Sequence, residues 1–192
     1  MVEIADLPVS DDTHYGQIGS TPVLAFNHFG LGCRLLVPSS GEPTVMAALA
    51  RSGSEALSTE TYQALRVEAG VPSAKHELTG DYTPLETGLA EAISAEKGCY
   101  TGQEVLARQI TYDKITRQLV GLHLTSQAVA GDRLWSQEEG KTVGEVTSAT
   151  NSPRYGYITL AILKRPYHQT GTMLTIGELE KGHLARVAPL PF

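Results

Sequence analysis

The chain has 192 residues, 41% hydrophobic and 19% charged, values that exclude an intrinsically disordered chain and leave enough apolar side chain for a core. Its net charge of −6 argues against non-specific nucleic-acid binding, which needs a basic face. Two cysteines, Cys33 and Cys99, make no disulfide framework, so a reduced, cytoplasmic setting is expected.

No apolar run approaches the length of a membrane span. The acidic start, Met1-Val2-Glu3-Ile4-Ala5-Asp6, lacks a signal-peptide profile. The stretch up to Gly19 is polar and turn-rich and reads as irregular. Thr21–Phe26 and Cys33–Val37 are short apolar runs separated by the turn His28-Phe29-Gly30-Leu31-Gly32, which predicts a β-hairpin. Cys33 within it reads as a small buried hydrophobe. Pro43–Arg51 reads as a helix, with Val45, Met46, Leu49 and Ala50 on one face and Gly53 as its stop.

A second helix is expected from a Ser58 cap to about Ala69, with Tyr62, Leu65 and Ala69 as its apolar stripe and Gly70 and Pro72 beyond it. Glu68 sits in the last turn, where a carboxylate opposes the helix dipole. It therefore needs a partner, either a structural one on another element or a ligand. Arg66, two residues away, points elsewhere. Ser73–Asp81 reads as a polar loop.

The segment Lys97-Gly98-Cys99-Tyr100-Thr101-Gly102-Gln103-Glu104-Val105-Leu106-Ala107-Arg108 is the densest in chemistry. Thr101-x-x-Glu104 has the form of a capping box, and Tyr100 with Val105 that of a hydrophobic staple. A helix is expected from Gly102 to about Tyr112, burying Val105, Leu106 and Ile110. Cys99 would then precede a helix start, with Lys97 two residues off, and both features lower a thiol's pKa. Cys99 admits three readings: a structural thiol, an activated thiolate, or a metal or cluster ligand. A cluster needs about four thiolates. No histidine stands at ligand spacing to Cys99, so no intrachain metal site is expected.

After Arg117 the composition changes. Leu119–Leu124, Arg133–Ser136, Thr142–Ser148, Tyr157–Leu163, Thr172–Ile176 and His183–Val187 are of strand length and are punctuated by glycines, which predicts a small antiparallel β-barrel or sandwich, with Trp135 packed in it. The expected fold class is α+β: a mixed sheet-and-helix part over residues 1–116, then a small antiparallel β-barrel over 117–192.

The segment Lys97-Gly98-Cys99-Tyr100-Thr101-Gly102-Gln103-Glu104 resembles the K-G-C-Y-x-G-Q-E signature of the YgfZ-type folate-binding proteins. Arg66-Val67-Glu68-Ala69-Gly70-Val71-Pro72 resembles their R-[IV]-E-A-G-[IV]-P segment. Gly144-Glu145-Val146-Thr147-Ser148, with Ser152-Pro153 and Gly156–Ala161, resembles their C-terminal barrel, which is shared with the T-protein (aminomethyltransferase) of the glycine cleavage system. The resemblance implies a tetrahydrofolate-binding protein associated with iron–sulfur protein maintenance, and therefore folate and iron–sulfur proteins as partners. The alternatives are an aminomethyltransferase and a non-catalytic module that binds a partner.

Members of that family are longer. Their N-terminal half has no counterpart here, so a separate N-terminal half or a homo-oligomer is expected to complete the site. Arg34 stands where T-proteins carry a pterin-binding glutamate, which argues against aminomethyl transfer. The site residues implied are Cys99 and Lys97 as the reactive pair, with Glu68, Tyr100, Gln103 and Arg108 toward folate. Gln103 suits a pterin edge and Arg108 the glutamyl carboxylates.

Overall fold

The computed structural model describes residues 13–27, 31–94 and 97–192. The N-terminal segment, residues 28–30 of the expected turn, and residues 95–96 lie outside the described residues. The chain folds as two compact units, Met1–Tyr62 and Gln63–Phe192.

In the first unit, β1 (His14–Ile18), β2 (Thr21–Asn27) and β3 (Cys33–Leu36) form an antiparallel sheet in that order. The first strand falls in the stretch expected to be irregular. Gly19, at φ +61°, makes the tight turn that sets Ile18 opposite Thr21 and so extends the hairpin backward. Helix α1 (Glu42–Arg51) has its proline in the first turn, as expected from Pro43. Val45 and Ala48 of α1 pack with Ile18 and Val23 to form the small core of this unit. Gly41 ahead of α1 lies against the Thr21 side chain, where a Cβ would collide. Cys33 is half-buried rather than fully buried.

Helix α2 (Thr59–Glu68) straddles the division between the units. Ser58 Oγ accepts from the Thr61 N–H at 3.1 Å, which is the cap expected of it. The expected apolar stripe is not what α2 buries. Tyr62 and Leu65 are exposed, whereas Ala64, Arg66, Val67 and Glu68 are buried. Tertiary hydrogen bonding makes the last turn of this helix a buried polar surface, and this overrides its apolar pattern.

Six strands close the barrel of the second unit: β4 (Arg117–Leu124), β5 (Arg133–Ser136), β6 (Thr142–Ser152), β7 (Gly156–Lys164), β8 (Met173–Ile176) and β9 (His183–Ala188). The order around the barrel is β4-β7-β6-β5-β8-β9, antiparallel throughout. Alternation along the strands sorts the apolar side chains into two sets. Val120, Leu122, Leu134, Val146, Ala161 and Leu163 fill the interior. Leu119, Ile158, Leu160 and Ile162 face outward and receive Val67 from α2. The barrel thus offers one outer face as a platform for a helix. Trp135 is half-buried, and its indole N–H donates to Gly177 O at 2.7 Å. The chain is α+β, a mixed sheet-and-helix part followed by a closed antiparallel barrel.

Candidate functional site

The segment from Lys97 to Arg108 leads into helix α3 (Gln103–Thr111). The expected capping box does not form. Gly102, left-handed at φ +88°, occupies the N-cap, and no side chain caps the helix. A Gly at this position turns the chain into the helix and leaves Thr101 one residue too far upstream to cap it. Glu104 instead pairs with Arg108 across one turn at 2.7 Å, with both side chains largely in solvent. This pair is worth a few tenths of a kcal/mol at most.

The expected burial of Val105 and Ile110 also fails. They are 54% and 55% exposed, and no residue of α3 is buried. The Tyr100 ring lies beneath Lys97 Nζ, 4.6 Å from the ring centroid. Cys99 is an exposed free thiol, and Gln103 is half-buried. Five of the expected site residues, Lys97, Cys99, Tyr100, Gln103 and Arg108, therefore share one short segment with a thiol, an ammonium and a guanidinium open to solvent.

Glu68 is the sixth, and it is held differently. It is buried at the end of α2, and Oε1 accepts the Ser152 hydroxyl hydrogen at 2.5 Å. The partner that its place against the helix dipole demands is thus a barrel hydroxyl, not Arg66. Ser152 Oγ in turn accepts the N–H groups of Arg154 and Tyr155, each at 3.0 Å, and organises the β6–β7 turn.

Arg66 is 3% exposed and lies at the centre of a network. Nη1 donates to Val71 O at 3.1 Å and to Glu77 Oε2 at 3.4 Å, Nη2 to Ser148 Oγ at 2.8 Å, and Nε to Gln63 Oε1 at 2.7 Å. Glu77, 0% exposed, also accepts from the Ser148 hydroxyl at 2.6 Å and from the Ser73 N–H at 3.0 Å. His76 Nδ1 lies 3.0 Å from Thr147 O. The two motif segments 66–72 and 144–148 therefore meet, and their polar side chains satisfy each other. A buried pair this well bonded is expensive to break from one side only.

Glu77 and Ser148 were not among the sequence candidates. Glu77 sits in a stretch that reads as polar loop, and nothing local marks an acid there as buried.

A third cluster was also missed. Arg117 at the start of β4 donates from Nε to Glu86 Oε1 at 2.9 Å and from Nη2 to Glu86 Oε2 at 3.1 Å and Asp81 O at 2.8 Å. Burial alone would push the Glu86 carboxyl up, but the Arg117 hydrogen bonds and the Thr83 N–H outweigh it and hold it below the usual range. The Tyr82 hydroxyl donates to Glu145 Oε1. Burial raises the Tyr82 phenol, and the Glu145 carboxylate raises it further. Among the described residues no group of three or more His, Cys, Asp or Glu side chains is placed to hold a metal ion. No helix among them is long and apolar enough to cross a membrane.

Residues 117–192 match the family model of the glycine cleavage T-protein C-terminal barrel domain. The chain is 33% identical to a putative chloroplastic transferase of Arabidopsis thaliana, over 81% of this chain and 36% of the relative. It is 34% identical to an aminomethyltransferase of Moorella thermoacetica, over 84% of this chain and 45% of the relative. The chain thus spans less than half the length of these curated relatives. The crystal structure of glycine cleavage system aminomethyltransferase T from Bartonella henselae superposes with a TM-score of 0.75, over 88% of this chain and 49% of that one. At 23% identity that likeness speaks for the fold alone.

Proposed function

We propose that this chain is a tetrahydrofolate-binding protein of the T-protein type, nearer to the YgfZ-like branch, which acts in iron–sulfur protein maintenance. The observation that carries this reading is the division of labour between its two motif segments. Residues 66–72 are consumed by a buried network with the barrel, whereas residues 97–108 keep their reactive groups in solvent. A segment that holds a free thiol and a lysine open ahead of a helix start, and an arginine open in the last turn of that helix, offers groups for a ligand or a partner.

The residues suit folate in part. Arg108, with its guanidinium exposed and its carboxylate partner exchangeable, matches the glutamyl carboxylates, and Gln103 offers an amide to a pterin edge. Glu68 does not join them, because Ser152 holds its carboxylate. When bound, tetrahydrofolate would supply a carrier for a one-carbon unit. Cys99 is the group of this chain nearest in sequence to act as a nucleophile, with Lys97 beside it.

An aminomethyltransferase is the second reading, favoured by the names of the bacterial relatives. A partner-binding module is the third, favoured by the exposed apolar residues of α3. A separate N-terminal half or a second copy of this chain is the partner that reading requires. Calorimetric titration with tetrahydrofolate, on the chain alone and with an aminomethyltransferase N-terminal half added as a separate polypeptide, tests the first. Aminomethyl transfer from a lipoylated carrier in the same mixture separates it from the second.

A further inference from the structure

The outer wall of the barrel carries a feature that the folate reading does not use. Alternation fixes which side chains point outward. Ile158, Leu160 and Ile162 of β7 belong to the outer cluster, and Ala161 and Leu163 to the interior, so Lys164 faces out. Register extends this face across four strands. Arg117 lies opposite Lys164, Ile162 opposite Glu145, and Glu145 opposite Arg133. These five residues, with Tyr82 from the preceding loop, line a groove of about 290 Å³.

Its charge is unusual for this chain. Three cations face one carboxylate in a molecule whose net charge is −6. The carboxylate, Glu145, is occupied by the Tyr82 hydroxyl. Arg117 is occupied by Glu86. Among the described residues Arg133 and Lys164 have no acidic partner, and Lys164 Nζ donates only to Thr142 O at 3.2 Å. With Arg117 paired to Glu86, Arg133 and Lys164 stand against the single carboxylate of Glu145, an excess of one cation on a concave wall that attracts an anion. Arg133 brings a planar fork that suits a carboxylate or a phosphate, and Lys164 a mobile point charge. The volume lies at the small end of ligand sites.

We propose that this groove binds a small oxyanion ligand, through a carboxylate or a phosphate group, with Arg133 and Lys164 as its two anchors and Arg117 held beside them by Glu86. The site is built from other residues than 97–108 and does not depend on folate binding.

The test is calorimetry on the full chain at low ionic strength, with inorganic phosphate in one arm and glutarate in the other, and neutral glutaramide as the control. Saturable heat in either charged arm, absent with glutaramide, is expected, and the arm that responds identifies the acid group. Each charge-assisted contact should be worth about tenfold in affinity, so the double variant Arg133→Gln with Lys164→Gln should lose the signal. Both side chains lie on the barrel surface, so an unchanged melting temperature will show that the fold is intact. Glu145→Gln removes the one like charge facing the ligand and should tighten binding by about threefold. No heat in either charged arm, or heat that survives the double variant, overturns the proposal.

Discussion

The Ser148 hydroxyl donates to Glu77 Oε1 at 2.6 Å and accepts from Arg66 Nη2 at 2.8 Å. One barrel hydroxyl therefore bridges the two halves of a buried ion pair that arrives from α2 and the following loop. The pair itself is long, at 3.4 Å, so the serine carries much of its cohesion. Replacing Ser148 by Ala leaves Glu77 and Arg66 each one partner short. Urea denaturation should show a loss of about 1–3 kcal/mol. Glu77→Ala strands a buried guanidinium and should cost about 3–5 kcal/mol. A Glu77→Ala protein as stable as the parent would mean that the network does not hold α2 to the barrel.

The Glu86–Arg117 pair gives the fold an acid limit. Its carboxyl is held below the ordinary value, so the folded state stabilises the charged form. That stability is fully present above the unfolded carboxyl pKa, which is about 4.3, and is lost as pH falls through the lower folded value. Denaturation midpoints measured from pH 7 to pH 3 should therefore drop at the acid end. Glu86→Gln should be less stable than the parent at pH 7 and should show a shallower acid slope. Equal slopes in the two proteins would contradict this account.

Gly144 sits where a Cβ would collide with the Ile162 carbonyl oxygen and press on Leu163 inside the barrel. Backbone atoms of β7 cannot yield cheaply, so Gly144→Ala should cost about 1–3 kcal/mol. Gly98, with open space around it, is the control, and Gly98→Ala should change stability by less than about 0.5 kcal/mol. Thermal melts of both variants give the comparison.

Cys99 is exposed and Cys33 is half-buried. A disulfide reagent such as Ellman's should titrate Cys99 in a faster phase, and Cys99→Ser should remove that phase while leaving the melting temperature unchanged. Loss of stability in Cys99→Ser would return this thiol to the structural role that the sequence alone also allows.

The barrel was legible in the sequence because its signal is local and redundant. Alternation in Leu119–Leu124 and Tyr157–Leu163 and the glycine punctuation give five of the six strands nearly to the residue. The sixth, β6, extends to Ser152, beyond the expected Ser148, through a register shift between Val146 and Ser148 that pattern does not reveal. The three helix starts fell within a residue of expectation, but the cap of α3 was less legible. Thr101-x-x-Glu104 has the capping pattern, but the left-handed Gly102 decides where α3 begins. Least legible were the long-range polar partners. Arg66 and Ser148 are 82 residues apart, and neither carries a local mark of their meeting. The exposed face of α3 was misread for a related reason: its period is that of a buried helix, but nothing among the described residues covers Val105 and Ile110.

Residues 97–108 are proposed to take part in binding tetrahydrofolate. Calorimetry with tetrahydrofolate, on the chain alone and with the N-terminal half of an aminomethyltransferase supplied as a second polypeptide, tests it most directly. Saturable binding at or below millimolar ligand is expected in at least the mixture, weakened about tenfold or more by Arg108→Ala, which removes a charge-assisted contact to carboxylate. No heat in either preparation at millimolar tetrahydrofolate, or binding indifferent to Arg108→Ala and Gln103→Ala together, would contradict it.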